Sequence, residues 1–234
     1  MAALRVHGFG AGRSLCAKLH PMGALPPDYD SDPERWRSWE SPHDVHEMIV
    51  PELCGPVLDI GCGDGRLASL LDASVTWTGL DSSPAQLTAN PFRPVVLGDM
   101  RALPFREETF ADVTHLWCLY HVDDPSVAIG EARRVLRSGG HYYASTAARD
   151  NDRELVPEGY PSSSFDAEEA PSIVASMFEK IETERWDGMF FPLETVEAVR
   201  SYCRHNYIAE ERAETVDLPL WLTKRGVLVR GTKC

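Results

Sequence analysis

The chain has 234 residues, 43% of them hydrophobic and 25% charged, and a formal net charge of −13. Its length and composition suit one α/β domain with a filled core, and its negative charge repels phosphate backbones, which argues against nucleic acid as a partner. No apolar run reaches the roughly 18 residues a membrane span requires, and Cys16, Cys54, Cys62, Cys118, Cys203 and Cys234 form no CxxC pair, so neither a metal cage nor a disulfide framework is expected and a reduced, cytoplasmic setting fits.

Residues 1–27 hold Arg5, Arg13 and Lys18 but no acid, and they are rich in Gly and Pro without an amphipathic period. They read as a flexible leader, with the domain proper at 28–234. Residues 32–53 read as helix broken at Pro42: Asp32 can cap Pro33 at the first helical position, and Trp36 and Trp39 lie three apart on one face. From residue 56 onward, short β-branched runs alternate with helical stretches, the pattern of βαβ units around a parallel sheet. Strands are expected at Val57–Ile60, 76–80, Val95–Leu97, 113–118 and 141–145. Helices are expected at 65–71, 84–90, around Leu103 and over 125–140, where Gly139 and Gly140 stop the last of them. A helix at 167–178, a strand at 180–187, a helix at 193–205 and a strand at 225–231 complete the chain.

The stretch VLDIGCGDGRL, residues 57–67, places Gly61, Gly63 and Gly65 at alternate positions after the first strand. In an open parallel sheet, ligands sit beyond the carboxyl ends of the strands, so glycines here suggest a backbone that a ligand approaches closely. Gly65 has an equal reading as a helix-packing residue. A dinucleotide loop needs G-x-G-x-x-G, and counting from Gly61 the third glycine position falls on Arg66. That fingerprint fails. Asp59, two residues before Gly61, would repel a pyrophosphate and suits a ligand carrying an ammonium group and a ribose.

At these residues the chain resembles the class I S-adenosylmethionine-dependent methyltransferases, whose first motif has this acid and glycine spacing. The resemblance extends in order over roughly residues 45–147. WTGLDSS puts Asp81 and Ser82 at the end of the second strand, where the family holds the ribose hydroxyls with an acid. VVLGDMRALPF supplies Asp99 and Met100 for the adenine, and FADVTHLWCLYHVDDP and EARRVLRSGGHYYAS match the fourth and fifth strands. In one departure, the acid that usually follows Phe in the fourth-strand motif falls one place later, at Asp112 after Ala111, which leaves the register of 116–118 open. The resemblance implies a Rossmann-like, seven-stranded, mostly parallel sheet with helices on both faces and an antiparallel last strand inserted beside the fifth. It also implies S-adenosyl-L-methionine as cofactor and S-adenosyl-L-homocysteine as product. The implied cofactor-binding residues are Asp59, Gly61, Cys62, Gly63, Asp81, Ser82, Asp99 and Met100, with Leu116 or Trp117 contributing backbone. Cys62 and Cys118 also read as small packing residues.

His115, Tyr120 and His121 stand where the fourth strand meets the cofactor's sulfur in this family. A histidine suits proton removal near neutral pH, while His115 could equally face the core and His121 hold a turn. The Asn/Asp-Pro-Pro-aromatic loop that grips a base amine is absent from LWCLYHVD, and Cys118 lacks the preceding proline of a cytosine-C5 nucleophile. Acceptor contacts therefore fall to parts outside the shared core. These are residues 28–44, read as a lid with Trp36 and Trp39; the stretch 148–171 with Tyr160 and Phe165; and an insertion over 188–224 with Phe190, Phe191, Tyr202 and Trp221, beside Trp186. Such aromatic content suits an apolar pocket, with some of these rings completing the core instead. The expected function is methyl transfer to an O, N or C atom of a small organic molecule, by a monomer or homodimer without a metal. An RNA or tRNA base methyltransferase and a non-catalytic cofactor-binding regulatory protein are the alternatives.

Overall fold

The computed structural model describes residues 44–156, 163–206 and 208–234, with the backbone alone at Phe190, Phe191 and His205. Through them the chain runs α1 (Val45–Ile49), β1 (Val57–Ile60), α2 (Arg66–Leu70), β2 (Trp77–Asp81), α3 (Pro84–Ala89), β3 (Val95–Leu97) and β4 (Phe110–Leu116). It continues with α4 (Pro125–Val135), β5 (Leu136–Ala147), α5 (Ala170–Ala175), β6 (Lys180–Leu193), α6 (Val196–His205) and β7 (Leu220–Thr232). Trp36 and Trp39 lie outside the described residues, and with them nearly all of the expected lid.

Every residue of β1 is buried, as a strand covered by helices on both faces must be. The seven strands lie in the order β3-β2-β1-β4-β5-β7-β6, parallel except for β7, which runs antiparallel between β5 and β6. This is the topology the sequence implies. On one face Leu58 and Ile60 pack with Ala128, Ile129 and Ala132 of α4 and Val174 of α5. On the other, Val57 packs with Val45 and Ile49 of α1 and Leu67 of α2. A third cluster, Leu155, Leu193, Val199, Tyr202, Leu220 and Leu222, forms a cap around α6 at the end of the β6–β7 hairpin.

The structure departs from the expected elements in several places. The glycine pair does not stop α4, which ends at Val135; Leu136 already pairs with Phe110. Gly139, at φ 77°, instead lets its N–H reach the Lys233 carbonyl at 2.6 Å, so the pair serves β5 and the chain terminus. Residues around Leu103 form no helix, and the Leu103 N–H donates to Glu131 Oε2 at 2.8 Å. The helix expected over 167–178 is confined to α5, and much of the expected insertion is β6 and β7 themselves, extended to Leu193 and back to Leu220.

The displaced acid of the fourth strand is absorbed by a bulge. The N–H groups of Ala111 and Asp112 both donate to the Pro56 carbonyl, at 2.9 and 3.3 Å, and pairing with β5 passes from Phe110–Leu136 directly to Asp112–His141, with Ala111 and residues 137–140 left out of the ladder. Beyond it, residues 112–116 pair regularly with β5, and β4 ends at Leu116 rather than Cys118. Asp112 thereby turns its buried carboxylate onto the N–H groups of Cys54 and Gly55, both at 2.9 Å, and fixes the entry to β1. No helix among the described residues is long and apolar enough to cross a membrane.

Candidate functional site

β1 lies between β2 and β4, so the chain's direction across the sheet reverses at β1/β4 and a crevice opens at the carboxyl ends of these strands. The glycine loop fills its near side. Gly61, Gly63 and Gly65 have φ of 73°, 51° and 94°, left-handed values that side chains disfavour. The Gly61 and Cys62 N–H groups donate to the Leu80 carbonyl at 2.7 and 3.1 Å, coiling the loop over β2.

Asp81 fixes that coil. Its Oδ2 accepts from the Gly63 N–H at 2.9 Å and its Oδ1 from the Ser83 N–H at 2.8 Å, and the residue stays half-buried beside exposed Ser82. Asn90, which the sequence reading missed, donates from Nδ2 to the Gly63 carbonyl at 3.0 Å. One side chain thus holds the N–H of Gly63 and another its C=O.

The three glycines do different work. A Cβ on Gly61 would stand 2.7 Å from Cβ of Cys118, and one on Gly65 2.7 Å from Asn90 Oδ1 and from the Phe92 ring. At both positions the space a side chain would need is taken by the protein itself, as the packing reading of Gly65 expects. At Gly63 a Cβ would meet only Gln86 Oε1, at 3.7 Å. Cys118 Sγ donates to the Ile60 carbonyl at 3.3 Å, tying the loop after β4 to the end of β1. Cys62 Sγ faces inward against Gly79 and Asn90. Burial pushes both thiols up, so they remain protonated packing groups.

Asp59 is 4% exposed. It accepts from Thr114 Oγ1 at 2.8 Å and from Trp77 Nε1 at 3.3 Å, and burial pushes its pKa up. An enclosed carboxylate with Asp81 nearby gains from an arriving cation. Asp99 is exposed, and the hydrogen bonds from Arg101, with Nη2 at 2.6 Å, hold its carboxyl below the usual range; Met100 packs partly against the core. On the far side, Leu116 is buried and Trp117 takes φ 57°. A left-handed non-glycine residue costs about 1–2 kcal/mol, and here it turns the backbone out of β4 at the crevice floor. The Trp117 ring meets Trp186 edge-on at 6.0 Å.

The three catalytic candidates separate. His115 has no exposed surface, lies 2.9 Å through Nδ1 from the hydroxyl of Tyr142, a member of the cluster packed with α4 and α5, and is pushed down to about 3 by burial. It is a neutral core histidine that does not reach the crevice. His121 is half-exposed on a short 3-10 helix, Leu119–His121, with its N–H on the Cys118 carbonyl at 3.1 Å and its ring 4.5 Å from that of Tyr120. Burial pushes the Tyr120 phenol up.

Of the aromatic residues expected around an acceptor, Phe165, Trp186 and Tyr202 belong to packed clusters, whereas Trp221 is 43% exposed. Phe190 and Phe191 lie on β6, and Tyr160 falls outside the described residues. Two polar clusters escaped the sequence reading. Under the cap, Tyr202 donates to Asp152 Oδ2 at 2.6 Å and Lys224 Nζ lies 2.6 Å from Oδ1, with Asp152 at φ 55°. No spacing rule joins residues so far apart in the chain. Beside the glycine loop, Asp44 caps α1, accepts the His46 N–H at 2.9 Å, lies 2.9 Å from His46 Nδ1, and accepts from Arg66 Nε at 3.1 Å. Its one sequence signal is the N-cap pattern in DVHEM.

Residues 58–144 match the profile of the family described as "Methyltransferase domain". The chain is 31% identical over 137 residues to demethylmenaquinone methyltransferase of Symbiobacterium thermophilum, covering 51% of this chain and 52% of that protein. It is 31% identical over 143 residues to ubiquinone biosynthesis O-methyltransferase of Pseudomonas entomophila, covering 52% and 62%. The chain thus spans about half to three fifths of the length of these relatives. Among solved structures, Haemonchus contortus phosphoethanolamine N-methyltransferase 2, in complex with phosphomonomethylethanolamine and S-adenosylhomocysteine, aligns with a TM-score of 0.60 and 16% identity over 88% of this chain and 58% of that one. At that identity the likeness carries the fold alone.

Proposed function

We propose that the protein, whose residues 58–144 match the methyltransferase-domain family, transfers the methyl group of S-adenosyl-L-methionine to a small organic molecule and releases S-adenosyl-L-homocysteine. The observation that carries this reading is the clamped carboxylate of Asp81 beside the open face of Gly63. A carboxylate fixed by two N–H groups is preset to accept from a pair of ribose hydroxyls, and the glycine leaves room for them. These residues fit the cofactor. Asp59 provides the countercharge for an ammonium group, Asp99 and Met100 border the adenine beside Ser82, and Leu116 and Trp117 offer main-chain groups at the β4 end.

When bound, the cofactor supplies a methyl group activated on a sulfonium, so the protein mainly aligns, an effect worth about 7–11 kcal/mol. His121 is the group suited to take a proton from an acceptor that must lose one, with Tyr120 setting its ring. Trp36, Trp39, Phe190 and Phe191 are the proposed acceptor contacts. A small acceptor is supported by the net charge of −13, which disfavours RNA, and by the two relatives, named for quinone biosynthesis.

The test incubates the full chain with S-adenosyl-L-methionine and pools of phenols, hydroquinones, amines and tRNA, following S-adenosyl-L-homocysteine, with calorimetry of cofactor binding alongside. Turnover on a small-molecule pool is expected. Turnover confined to tRNA, or binding without turnover on any pool, would replace the reading with one of its two alternatives. Absence of binding would remove it.

A further inference from the structure

We propose that His46 binds the α-carboxylate at the amino-acid end of the cofactor, with Asp44 and Arg66 positioning its ring at the rim of the glycine loop. This rests on the methyltransferase reading and names a residue outside the motifs that carry it. α1 packs against α2, and α2 begins at Arg66, directly after Gly65. Arg66 Nε and Nη2 donate to Asp44 Oδ2, and Nη2 also reaches Glu47 Oε1 at 3.2 Å. The first turn of α1 is therefore pinned to the residue that closes the glycine loop.

The pin also orients an imidazole. A carboxylate can only accept, so the His46 nitrogen facing it at 2.9 Å, Nδ1, carries a proton, and Asp44 holds the ring by it. Nε2 points away from Asp44 and makes no hydrogen bond among the described residues, while the side chain keeps 20% exposure. Hydrogen bonds from His46 and Arg66 outweigh burial at Asp44 and hold its carboxyl well below the usual range, so the orienting group stays ionised. The His46 ring also lies within electrostatic reach of Asp59 in β1.

Charge complementarity identifies what the imidazole meets. The crevice offers acids to the cofactor, Asp59 and Asp81, while Asp99 is matched by Arg101. These suit hydroxyls and an ammonium group, and they repel the one anionic group of the cofactor, its α-carboxylate. Of the basic side chains beside the loop, Arg66 is shared between Asp44 and Glu47 and Arg93 is turned onto the Asn90 and Phe92 carbonyls, whereas the His46 ring presents its Nε2 edge. In the imidazolium form, Nε2–H donates to the arriving carboxylate, giving a carboxylate–imidazolium–carboxylate row anchored at Asp44.

Two ligands separate this role from a structural one: S-adenosyl-L-homocysteine, and 5′-methylthioadenosine, which has the same nucleoside and thioether but no amino-acid end. Calorimetry on the full chain should find His46→Ala weakened about tenfold to a hundredfold for S-adenosyl-L-homocysteine and unchanged for 5′-methylthioadenosine. Asp44→Asn, which keeps a good N-cap, should show a smaller loss with the same selectivity. Equal weakening for both ligands would mean that His46 only supports the loop, and no weakening for either would mean that it faces elsewhere; each overturns the proposal. So would a selective loss in Arg66→Gln with none in His46→Ala. If the unaltered chain binds neither ligand, the cofactor reading itself falls, a result distinct from all of these.

Discussion

Replacing Asp81 with alanine tests the clamp and the ligand reading together, because the same carboxylate serves both. The change removes the acceptors of the Gly63 and Ser83 N–H groups. A hydrogen bond to a charged group is worth about 1.5–3 kcal/mol, but water can replace part of it at a half-exposed residue, so a net cost of about 2 kcal/mol is expected. At about 2–4 °C per kcal/mol for a chain of this size, Tm should fall by about 4–8 °C. Cofactor affinity loses its own charged acceptor, again about 1.5–3 kcal/mol, or about tenfold to a hundredfold in Kd. Ser83→Ala is the control. It breaks only the cap from Ser83 Oγ to the Gln86 N–H, at 3.2 Å, costs about 1 kcal/mol, and should leave Kd unchanged. Scanning calorimetry and titration of both variants with S-adenosyl-L-methionine check this. Unchanged Kd in folded Asp81→Ala, or an equal Kd loss in Ser83→Ala, would refute the assignment.

Gly63→Ala should stay folded, since its methyl makes only an ordinary van der Waals contact with Gln86 Oε1 at 3.7 Å and the left-handed backbone costs only about 1–2 kcal/mol, yet cofactor affinity should fall at least about tenfold if the ligand approaches this face of the loop. Gly61→Ala drives its methyl into Cys118 at 2.7 Å and adds overpacking of about 1–3 kcal/mol to the same backbone cost, so thermal melts should show the larger loss; equal losses would sink the distinction. His115, pushed from 6.5 down to about 3 by burial, makes the folded state bind fewer protons than the unfolded chain between those values. Its contribution is complete above about pH 6.5 and is lost as pH falls toward 3, at up to about 1.4 kcal/mol per pH unit. Urea unfolding at pH 7 and pH 5 should find a shallower acid loss in His115→Gln, and matching slopes would mean that the imidazole is not held neutral.

The glycine spacing and the β-branched runs place the crevice correctly because both are local: strand, turn and helix start follow within residues 57–67. What each glycine faces is not local. Cys118 and Asn90, which decide Gly61 and Gly65, arrive from other loops. The side of β4 on which His115 lies was equally hidden, since Thr114 and His115 are both fully enclosed, and a strand covered on both faces has no polar–apolar alternation to read. Asp112 shows the opposite case: a one-residue displacement in the motif is the visible trace of a bulge whose purpose, holding two N–H groups before β1, only the fold reveals.

The antiparallel strand explains why the cap escaped local reading and why it stands where it does. In a parallel strand the carboxyl end reaches the crevice; in β7 the amino end does, with Gly226 opposite Ala147 at the close of β5 and Lys224 further out. Chain inserted between β6 and β7 is therefore delivered beyond the carboxyl edge of the sheet without a linker. It builds its own apolar cluster there and is joined to the loop after β5 by Asp152, Tyr202 and Lys224. The apolar residues of this cluster are separate from those that pack around β1 and the glycine loop. Changes in the cap can thus alter that end of the sheet while β1, β2 and β4 keep the geometry on which the proposed function rests.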